Sequence, residues 1–210
     1  MKENSVLKIN NLTKDFELGH ERISILDDVT LDIKTNECVI IMGPSGSGKT
    51  TFLNLLAGID RKFSGNINIA NLDLAALNSK EISNMRSSVI GMVFQDYRLL
   101  PQLTAFENVE APLFLQNYST SERKSKAMNA LELVGLGNRP KHKPEQLSGG
   151  ERQRTAIARS LVTGADILLC DEPTGNLNRG MSEMIFKLLQ SLCHEYGKSI
   201  IMTTHDHMAE

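Results

Sequence analysis

The chain has 210 residues, and its 23 Lys and Arg residues nearly balance its 25 Asp and Glu residues, which gives a formal net charge of −2. A chain of this length buries roughly 70% of the surface that its unfolded form exposes, and no linker divides it, so we expect a single domain over residues 1–210. Charges of both signs are interspersed without a basic stripe, so the composition argues against a nucleic-acid partner.

The first part of the chain alternates apolar and polar residues. The apolar positions are Ile23, Ile25, Val29, Leu31 and Ile33, with a break near the Asp27-Asp28 pair, and Ile67 and Ile69 repeat the pattern. A period of two is typical of strands that are covered on one face only. The sequence therefore predicts an antiparallel β-layer in the N-terminal part of the chain.

Residues 43–50 match the pattern G-x-x-x-x-G-K-[ST] of a phosphate-binding loop (P-loop) between a buried strand and a helix. Its glycines let backbone N–H groups converge on phosphates, the helix N-terminus adds partial positive charge, and Lys49 supplies a full one. The Thr50 hydroxyl is of the type that binds Mg²⁺. We expect the following residues to bind a nucleotide: Gly43, Pro44, Ser45, Gly46, Ser47, Gly48, Lys49, Thr50 and Thr51.

Four short, continuous apolar runs have a different character from the alternating strands. They cover residues 39–42, 89–94, 167–170 and 199–202. Such runs are typical of strands covered on both faces, so the sequence predicts a parallel core sheet.

The segment between the second and third of these runs is rich in helix formers. It predicts helices over residues 121–134 and 151–162, separated by turn signals at Gly135, Gly137 and Pro140. We therefore divide the domain into a β-layer and core over residues 1–95 and 163–210, with a helical subdomain inserted over residues 96–162.

The sequence Leu147-Ser148-Gly149-Gly150 directly precedes the second of these helices. Ser148, Gly149 and Gly150 stand where a helix N-terminus presents free N–H groups to an anion. In isolation, the same residues would be interpreted as an ordinary N-cap and turn.

Asp171 and Glu172 follow the apolar run 167–170. Open α/β sheets bind their ligands at the carboxyl ends of the strands, which is where these carboxylates emerge. We expect Asp171 to hold Mg²⁺, directly or through water, and Glu172 to polarise the attacking water. The alternative is that Glu172 only caps a turn before Pro173.

The three cysteines and the N-terminus bear on the cellular compartment. Cys38 and Cys170 lie in apolar, strand-like runs, which predicts buried, reduced thiols and a cytosolic protein. Residues 1–11 lack the apolar core of a signal peptide, and no apolar run reaches the ~18 residues of a membrane-spanning helix. We expect any membrane contact to come through a partner.

Together, these motifs resemble the ATPase subunit of an ATP-binding-cassette (ABC) transporter over essentially the whole chain. The resemblance implies a P-loop NTPase (RecA-like) α/β fold, with ATP and Mg²⁺ as ligands and ATP hydrolysis as the activity. It implies a head-to-tail dimer in which Ser148, Gly149 and Gly150 bind the γ-phosphate of ATP held by the second copy. It also implies an integral-membrane permease partner, and a peripheral location at the cytoplasmic face of the inner membrane.

Three further residues are assigned by this resemblance. Gln95 is similar to the family's glutamine that contacts Mg²⁺ or the attacking water, although a lone glutamine is usually a solvated loop residue. His205 is similar to the histidine that contacts the γ-phosphate and orders the catalytic carboxylate; His205 and His207 around Asp206 would otherwise suggest a metal site. Phe16 stands where the family has its adenine-stacking aromatic, and the alternative is a core residue of the β-layer.

Segments 94–101, 150–154 and 175–177 are similar to the group that contains the lipoprotein-release ATPase LolD, the macrolide-export ATPase domain of MacB and the cell-division ATPase FtsE. The resemblance favours lipoprotein release or a related export task, in which dimer closure moves the permease mechanically. The alternative is a non-transport ATPase that regulates a cell-envelope or division process through a membrane partner. The apolar residues of segment 96–115 would form either subdomain core or a groove for the permease.

Two features depart from the family pattern. Asn178, which we expect near the nucleotide, stands where the family usually has Asp. Asparagine keeps the capacity for hydrogen bonding but removes a charge at the dimer seam. We expect this change to weaken communication between the two sites, or to mark a degenerate nucleotide-binding module. The sequence also ends five residues after His205, where relatives continue, so we expect less support for that histidine.

Overall fold

The computed structural model describes residues 5–19 and 21–205. Its strands are β1 (Ser5–Leu18), β2 (Glu21–Lys34), β3 (Cys38–Met42), β4 (Ser64–Ile69), β5 (Leu72–Asp73), β6 (Ile90–Val93), β7 (Ile167–Asp171) and β8 (Ser199–Thr204). Its α-helices are α1 (Lys49–Leu56), α2 (Ser79–Ser88), α3 (Ala105–Glu110), α4 (Thr120–Leu133), α5 (Gly149–Leu161) and α6 (Arg179–His194). Short 3₁₀ turns cover Ala111–Leu115 and Pro144–Gln146.

The antiparallel layer predicted from the alternating pattern is confirmed, with the strand order β2-β1-β4-β5. The predicted break near Asp27-Asp28 is an irregularity within a continuous strand. Asn11 on β1 and Asp28 on β2 both have a left-handed backbone, with φ of 51° each, and the Asn11 amide donates to Asp28 Oδ1 at 2.6 Å. The pairing of β1 with β2 shifts register here, so the ladder is distorted and the strands continue.

The parallel core sheet is also confirmed, with the strand order β3-β8-β7-β6. One of its faces packs with α1 and the antiparallel layer, and the other packs with α3, α4, α5 and α6. Because β3, β8 and β7 are parallel neighbours, the residues at their carboxyl ends meet at one edge of the sheet. This edge carries the candidate site.

The helical segment contains the two predicted helices, each starting earlier than the apolar pattern suggested. Helix α4 begins at Thr120 and α5 at Gly149, because Ser119 and Ser148 cap them. The boundary of a separate subdomain at residues 96–162 stays a prediction.

The three cysteines are free. Cys170 and Cys193 are buried, which confirms the prediction for Cys170, whereas Cys38 is only half-buried. Burial raises the pKa of the Cys170 thiol far above its ordinary value, which keeps it protonated. Within residues 5–19 and 21–205, no helix is both long and apolar enough to span a membrane.

Candidate nucleotide-binding site

The P-loop connects β3 to α1 by a turn that glycine makes possible. Gly46 and Gly48 have φ of 82° and 88°, a region that side chains disfavour. A Cβ atom on Gly48 would also lie 2.7 Å from Ile25 Cγ2. No side chain caps α1 at Gly48, so the first N–H groups of this helix remain available to an anion.

Lys49 is the buried cation of the loop, with 7% of its surface exposed. Its Nζ donates to the carbonyls of Gly43 at 2.8 Å and Pro44 at 3.0 Å, and lies 3.4 Å from Glu172 Oε1. The ammonium is thus held by acceptors of the loop itself. Phosphate oxygens in the adjoining cavity would be further acceptors for it.

Asp171, at the end of β7, accepts hydrogen bonds from two hydroxyl groups. Thr50 Oγ1 donates to Asp171 Oδ1 at 3.1 Å, and Thr203 Oγ1 donates to the same oxygen at 2.9 Å. The adjacent hydroxyl of Thr50 and carboxylate of Asp171 are hard oxygen donors of the kind that Mg²⁺ prefers, so the donor set fits that ion. Among the described residues, no group of three or more His, Cys, Asp or Glu side chains could hold a metal.

Glu172 has an unusual backbone for a residue with a side chain, with φ of 45°. Its N–H is directed at Thr203, 3.0 Å from the carbonyl and 3.2 Å from the hydroxyl. Its carboxylate lies between two cationic or titratable groups, Lys49 on one side and His205 Nδ1 at 3.0 Å from Oε2 on the other. The backbone conformation and these contacts turn the carboxylate toward the P-loop.

The alternative for His205 was a metal site shared with Asp206 and His207. Those two residues lie outside the described part of the chain.

One cavity of about 690 Å³ brings these groups together. Its lining includes the predicted residues Pro44, Ser45, Gly46, Gly48, Lys49, Thr50, Thr51, Gln95, Asp171, Glu172 and His205. Gly43 adjoins it through the carbonyl that accepts from Lys49, and Ser47 packs against Gly43. Two residues of the site were not predicted from the sequence. Ile25 lines the cavity, and Thr203 hydrogen-bonds to Asp171 and Glu172.

Gln95 follows β6 and is held by the loop that follows Glu172. Asn176 Nδ2 donates to the Gln95 carbonyl at 2.9 Å. A Cβ atom on Gly175 would lie only 2.6 Å from Gln95 Nε2, so the glycine permits this approach. Asn176 lies in segment 175–177, which carried only the resemblance to the LolD, MacB and FtsE group, so its contact with Gln95 was not predicted.

Ser148, Gly149 and Gly150 lie outside the cavity lining of their own chain. Ser148 accepts from Glu151 N at 3.3 Å, and Glu151 Oε2 accepts from Ser148 N at 2.8 Å, so the two residues form a capping box. The Ser148 N–H and hydroxyl hold the pKa of the Glu151 carboxyl below its usual value.

Asn178 is also outside this lining, and it has a structural role. Its side chain accepts from Met181 N at 3.0 Å and caps α6. Asparagine caps helices about as well as aspartate, so the departure from the family pattern leaves this cap in place.

Phe16 is 45% exposed, so its interpretation as a core residue is wrong. Lys14 Nζ lies 4.7 Å from the ring centroid and pairs with Asp60 Oδ2 at 2.6 Å. The ring borders a separate polar cavity of about 670 Å³ rather than the P-loop cavity.

A glycine-rich loop between a parallel strand and a helix, with a lysine, a hydroxyl and two carboxylates at one sheet edge, defines a P-loop nucleotide hydrolase. Residues 26–175 match the model of the ABC transporter family. The chain belongs to this family and is an ATP-binding, ATP-hydrolysing subunit.

Proteins similar to this chain match it over nearly its whole length. The lipoprotein-releasing system ATP-binding protein LolD of Alcanivorax borkumensis is 42% identical, with 96% of this chain and 88% of LolD covered. The macrolide export ATP-binding/permease protein MacB of Bradyrhizobium diazoefficiens is 43% identical, with 96% of this chain but 31% of MacB covered. A solved dimer of the cassette MJ0796 of Methanocaldococcus jannaschii, in a post-hydrolysis state with ADP and Pi, has a TM-score of 0.87 at 42% identity, covering 97% of this chain and 89% of that one.

Proposed function

We propose that this chain is a transport ATPase in which ATP-driven closure of a head-to-tail dimer is coupled to a membrane permease. The proposal rests on one observation: the residues expected to contact ATP do not all lie at the same cavity. The P-loop, both carboxylates and His205 surround one cavity, whereas Ser148, Gly149 and Gly150 do not line it. A second copy would supply them, and the dimeric state of the MJ0796 structure supports self-association.

Six of the residues that line the cavity are assigned a role in hydrolysis. Lys49 and the free N–H groups of α1 bind the phosphates, while Thr50, Asp171 and Gln95 would hold Mg²⁺. When bound, Mg²⁺ would neutralise negative charge on the phosphates. Glu172 orients the attacking water and accepts its proton, and His205 fixes the Glu172 carboxylate.

Phe16 would stack on the adenine ring. Its exposed ring offers the flat apolar surface that a base requires, and Lys14 lies over it at 4.7 Å. Asn178 would contribute near the nucleotide at the dimer seam in addition to capping α6.

The permease would dock in a second cavity of about 510 Å³ between α2, β6 and the C-terminal end of α5. Its wall includes Phe94, Pro112 and Leu115, and Leu115 is 84% exposed. Arg86 and Arg98 add positive charge at the same wall. An apolar groove with cationic walls fits a short amphipathic helix that carries acidic residues. Phe94 directly precedes Gln95, so a partner in this groove would lie beside the nucleotide site.

The similarity to LolD and MacB favours lipoprotein release or a related export task, with the chain bound peripherally at the cytoplasmic face of the inner membrane. MacB carries ATP-binding and permease functions under one name, and this chain covers only 31% of it. The membrane partner of this ATPase would be an integral-membrane permease.

Affinity capture from native membranes with ATP-loaded Glu172→Gln protein tests the proposal. The amide removes the proton acceptor but keeps the shape of the side chain, so ATP should bind without being hydrolysed, and the closed dimer should accumulate. Glu183→Gln, an exposed carboxylate on α6, is the matched control. Recovery of a permease with a large extracytoplasmic domain supports mechanical export. Recovery of a non-transport membrane protein favours the regulatory role, and recovery of no membrane protein contradicts the coupling.

A further inference from the structure

Two consecutive residues downstream of Gln95 have a left-handed backbone although neither is glycine. Tyr97 and Arg98 have φ of 61° and 46°. This region is unfavourable for residues with a Cβ atom, so surrounding contacts must hold the pair in place.

The guanidinium of Arg159 supplies those contacts. Its Nη2 donates to the Tyr97 carbonyl at 2.7 Å, and its Nη1 donates to the Arg98 carbonyl. A planar guanidinium has several donors at fixed angles, so it can bind two successive carbonyls that a lysine would engage less well. Arg159 lies in the last turn of α5, the helix whose first turn carries Gly149 and Gly150.

The side chain of Tyr97 lies along the same helix toward its N-terminus. Its Oη lies 3.3 Å from the position that a Cβ atom on Gly149 would take, and Arg152 Cζ lies 5.2 Å from its ring centroid. Helix α5 therefore contacts this dipeptide near both of its ends, through Arg159 and through Gly149.

The turn between the dipeptide and Gln95 is short and hydrogen-bonded. Tyr97 N donates to the Phe94 carbonyl at 3.2 Å, and Arg98 N donates to the Asp96 carbonyl at 2.6 Å. A change in the backbone of Tyr97 or Arg98 would therefore displace Gln95, which lines the ATP cavity.

We propose that Arg159 is a positioning residue that keeps Tyr97 and Arg98 left-handed and thereby fixes Gln95 against helix α5. The inference rests on the proposed role of Gln95 at the nucleotide. It links the nucleotide cavity to α5 within one chain.

The test uses purified full-length protein and separates binding from turnover. Arg159→Gln should lower kcat by about tenfold, because Gln95 is no longer held in position. The affinity for ATP, measured by titration without Mg²⁺, should stay unchanged. The affinity is preserved because the P-loop contacts of Lys49 do not involve α5.

Rescue by glycine distinguishes backbone positioning from a merely structural role. Arg98→Gly and Arg98→Ala remove the same side chain, but only glycine accepts the left-handed backbone without strain. In the Arg159→Gln protein, Arg98→Gly should give a several-fold higher kcat than Arg98→Ala, whereas the two should be alike when Arg159 is present. Equal kcat values in both backgrounds would overturn the inference. If Arg159→Gln protein does not fold, the same comparison is made with Arg159→Lys.

Gln95→Ala separates failure of this inference from failure of the proposed function. If Gln95→Ala has the wild-type kcat, the role of Gln95 is wrong. If Gln95→Ala is impaired and Arg159→Gln is not, only the positioning role of Arg159 is wrong.

Discussion

Thr203 connects the two acidic residues of the site through one hydroxyl group. Its Oγ1 donates to Asp171 at 2.9 Å and lies 3.2 Å from the Glu172 N–H. The side chain is fully buried, so water cannot replace a missing hydroxyl.

Thr203→Val is therefore expected to lower kcat by about tenfold, because Asp171 loses a donor and the Glu172 backbone loses part of its support. Valine has nearly the same shape, so the fold should be retained. Steady-state ATPase kinetics measure the effect, and Thr203→Ser, which restores the hydroxyl, should recover most of the rate. A wild-type kcat in the valine variant would show that this hydroxyl is not required.

Lys49→Ala is expected to weaken ATP binding by roughly 10- to 100-fold, since a charge-assisted contact to the phosphates is lost. Titration calorimetry with ATP and Mg²⁺ measures this affinity. Lys80→Ala, an exposed lysine on α2, is the control and should bind as the wild type does. Equal affinity of the two variants would contradict the role of Lys49.

These two residues also show what the sequence could predict about the site. Lys49 lies in a local motif whose spacing is fixed by the chemistry of phosphate binding, so its position was predictable. Thr203 reaches Asp171 across 32 positions of sequence because β7 and β8 are neighbours. Nothing in the local sequence distinguishes Thr203 from other strand residues, so only the sheet order identifies it.

Three helices of the segment between β6 and β7 begin with the same capping box. The pairs are Thr104 with Glu107, Ser119 with Glu122, and Ser148 with Glu151. Hydrogen bonds from the cap residue hold the pKa of each of these glutamates below the usual value of 4.5. The folded state thus binds fewer protons than the unfolded state around this pH. The stability that the boxes contribute is complete above the unfolded pKa and is lost as the pH falls through the folded values.

Glu122→Gln tests this pH dependence at α4. The amide still accepts a hydrogen bond but does not titrate, so the urea midpoint should fall less steeply than in the wild type between about pH 5 and pH 3.5. Glu132→Gln, at an exposed position near the end of the same helix, provides the comparison and should keep the wild-type slope. Identical slopes for all three proteins would show that this capping box does not contribute to the acid sensitivity.

The antiparallel layer has one feature that the sequence pattern of a single strand could not predict, the register shift between β1 and β2. The alternation correctly placed Ile33 on the buried side of β2, but Ile23 is 43% exposed. The pattern also indicated a break where the structure has a register shift. The difference depends on the contact between Asn11 and Asp28, which belong to two different strands. A single-strand pattern carries no information on that contact.

At the scale of the whole molecule, the two groups of motifs that we propose to contact ATP do not share one cavity. The cavity is lined by the P-loop after β3, by Asp171 at the end of β7, and by Gln95 and His205, which follow β6 and β8. The N-terminus of α5 lies outside that lining. The α/β architecture followed from the apolar runs, because each strand type has its own hydrophobic period. A composite ATP site, formed by the P-loop of one copy and by Ser148, Gly149 and Gly150 of the other, could not be predicted from composition or hydrophobic period. It was expected only because the motifs resemble those of the family.

Ser148→Arg provides the test of that composite site, because it places a bulky charged side chain where the γ-phosphate of the partner's ATP would lie. In the Glu172→Gln background with ATP and Mg²⁺, size-exclusion chromatography with light scattering should show a monomer in place of the closed dimer. Affinity for ATP in the monomer should be unchanged, since the P-loop is intact. Ser119→Arg is a closely matched control, because Ser119 caps α4 with the same capping box and its replacement costs a comparable cap. A loss of dimer in both variants would implicate helix capping, and a stable dimer in both would contradict the head-to-tail arrangement.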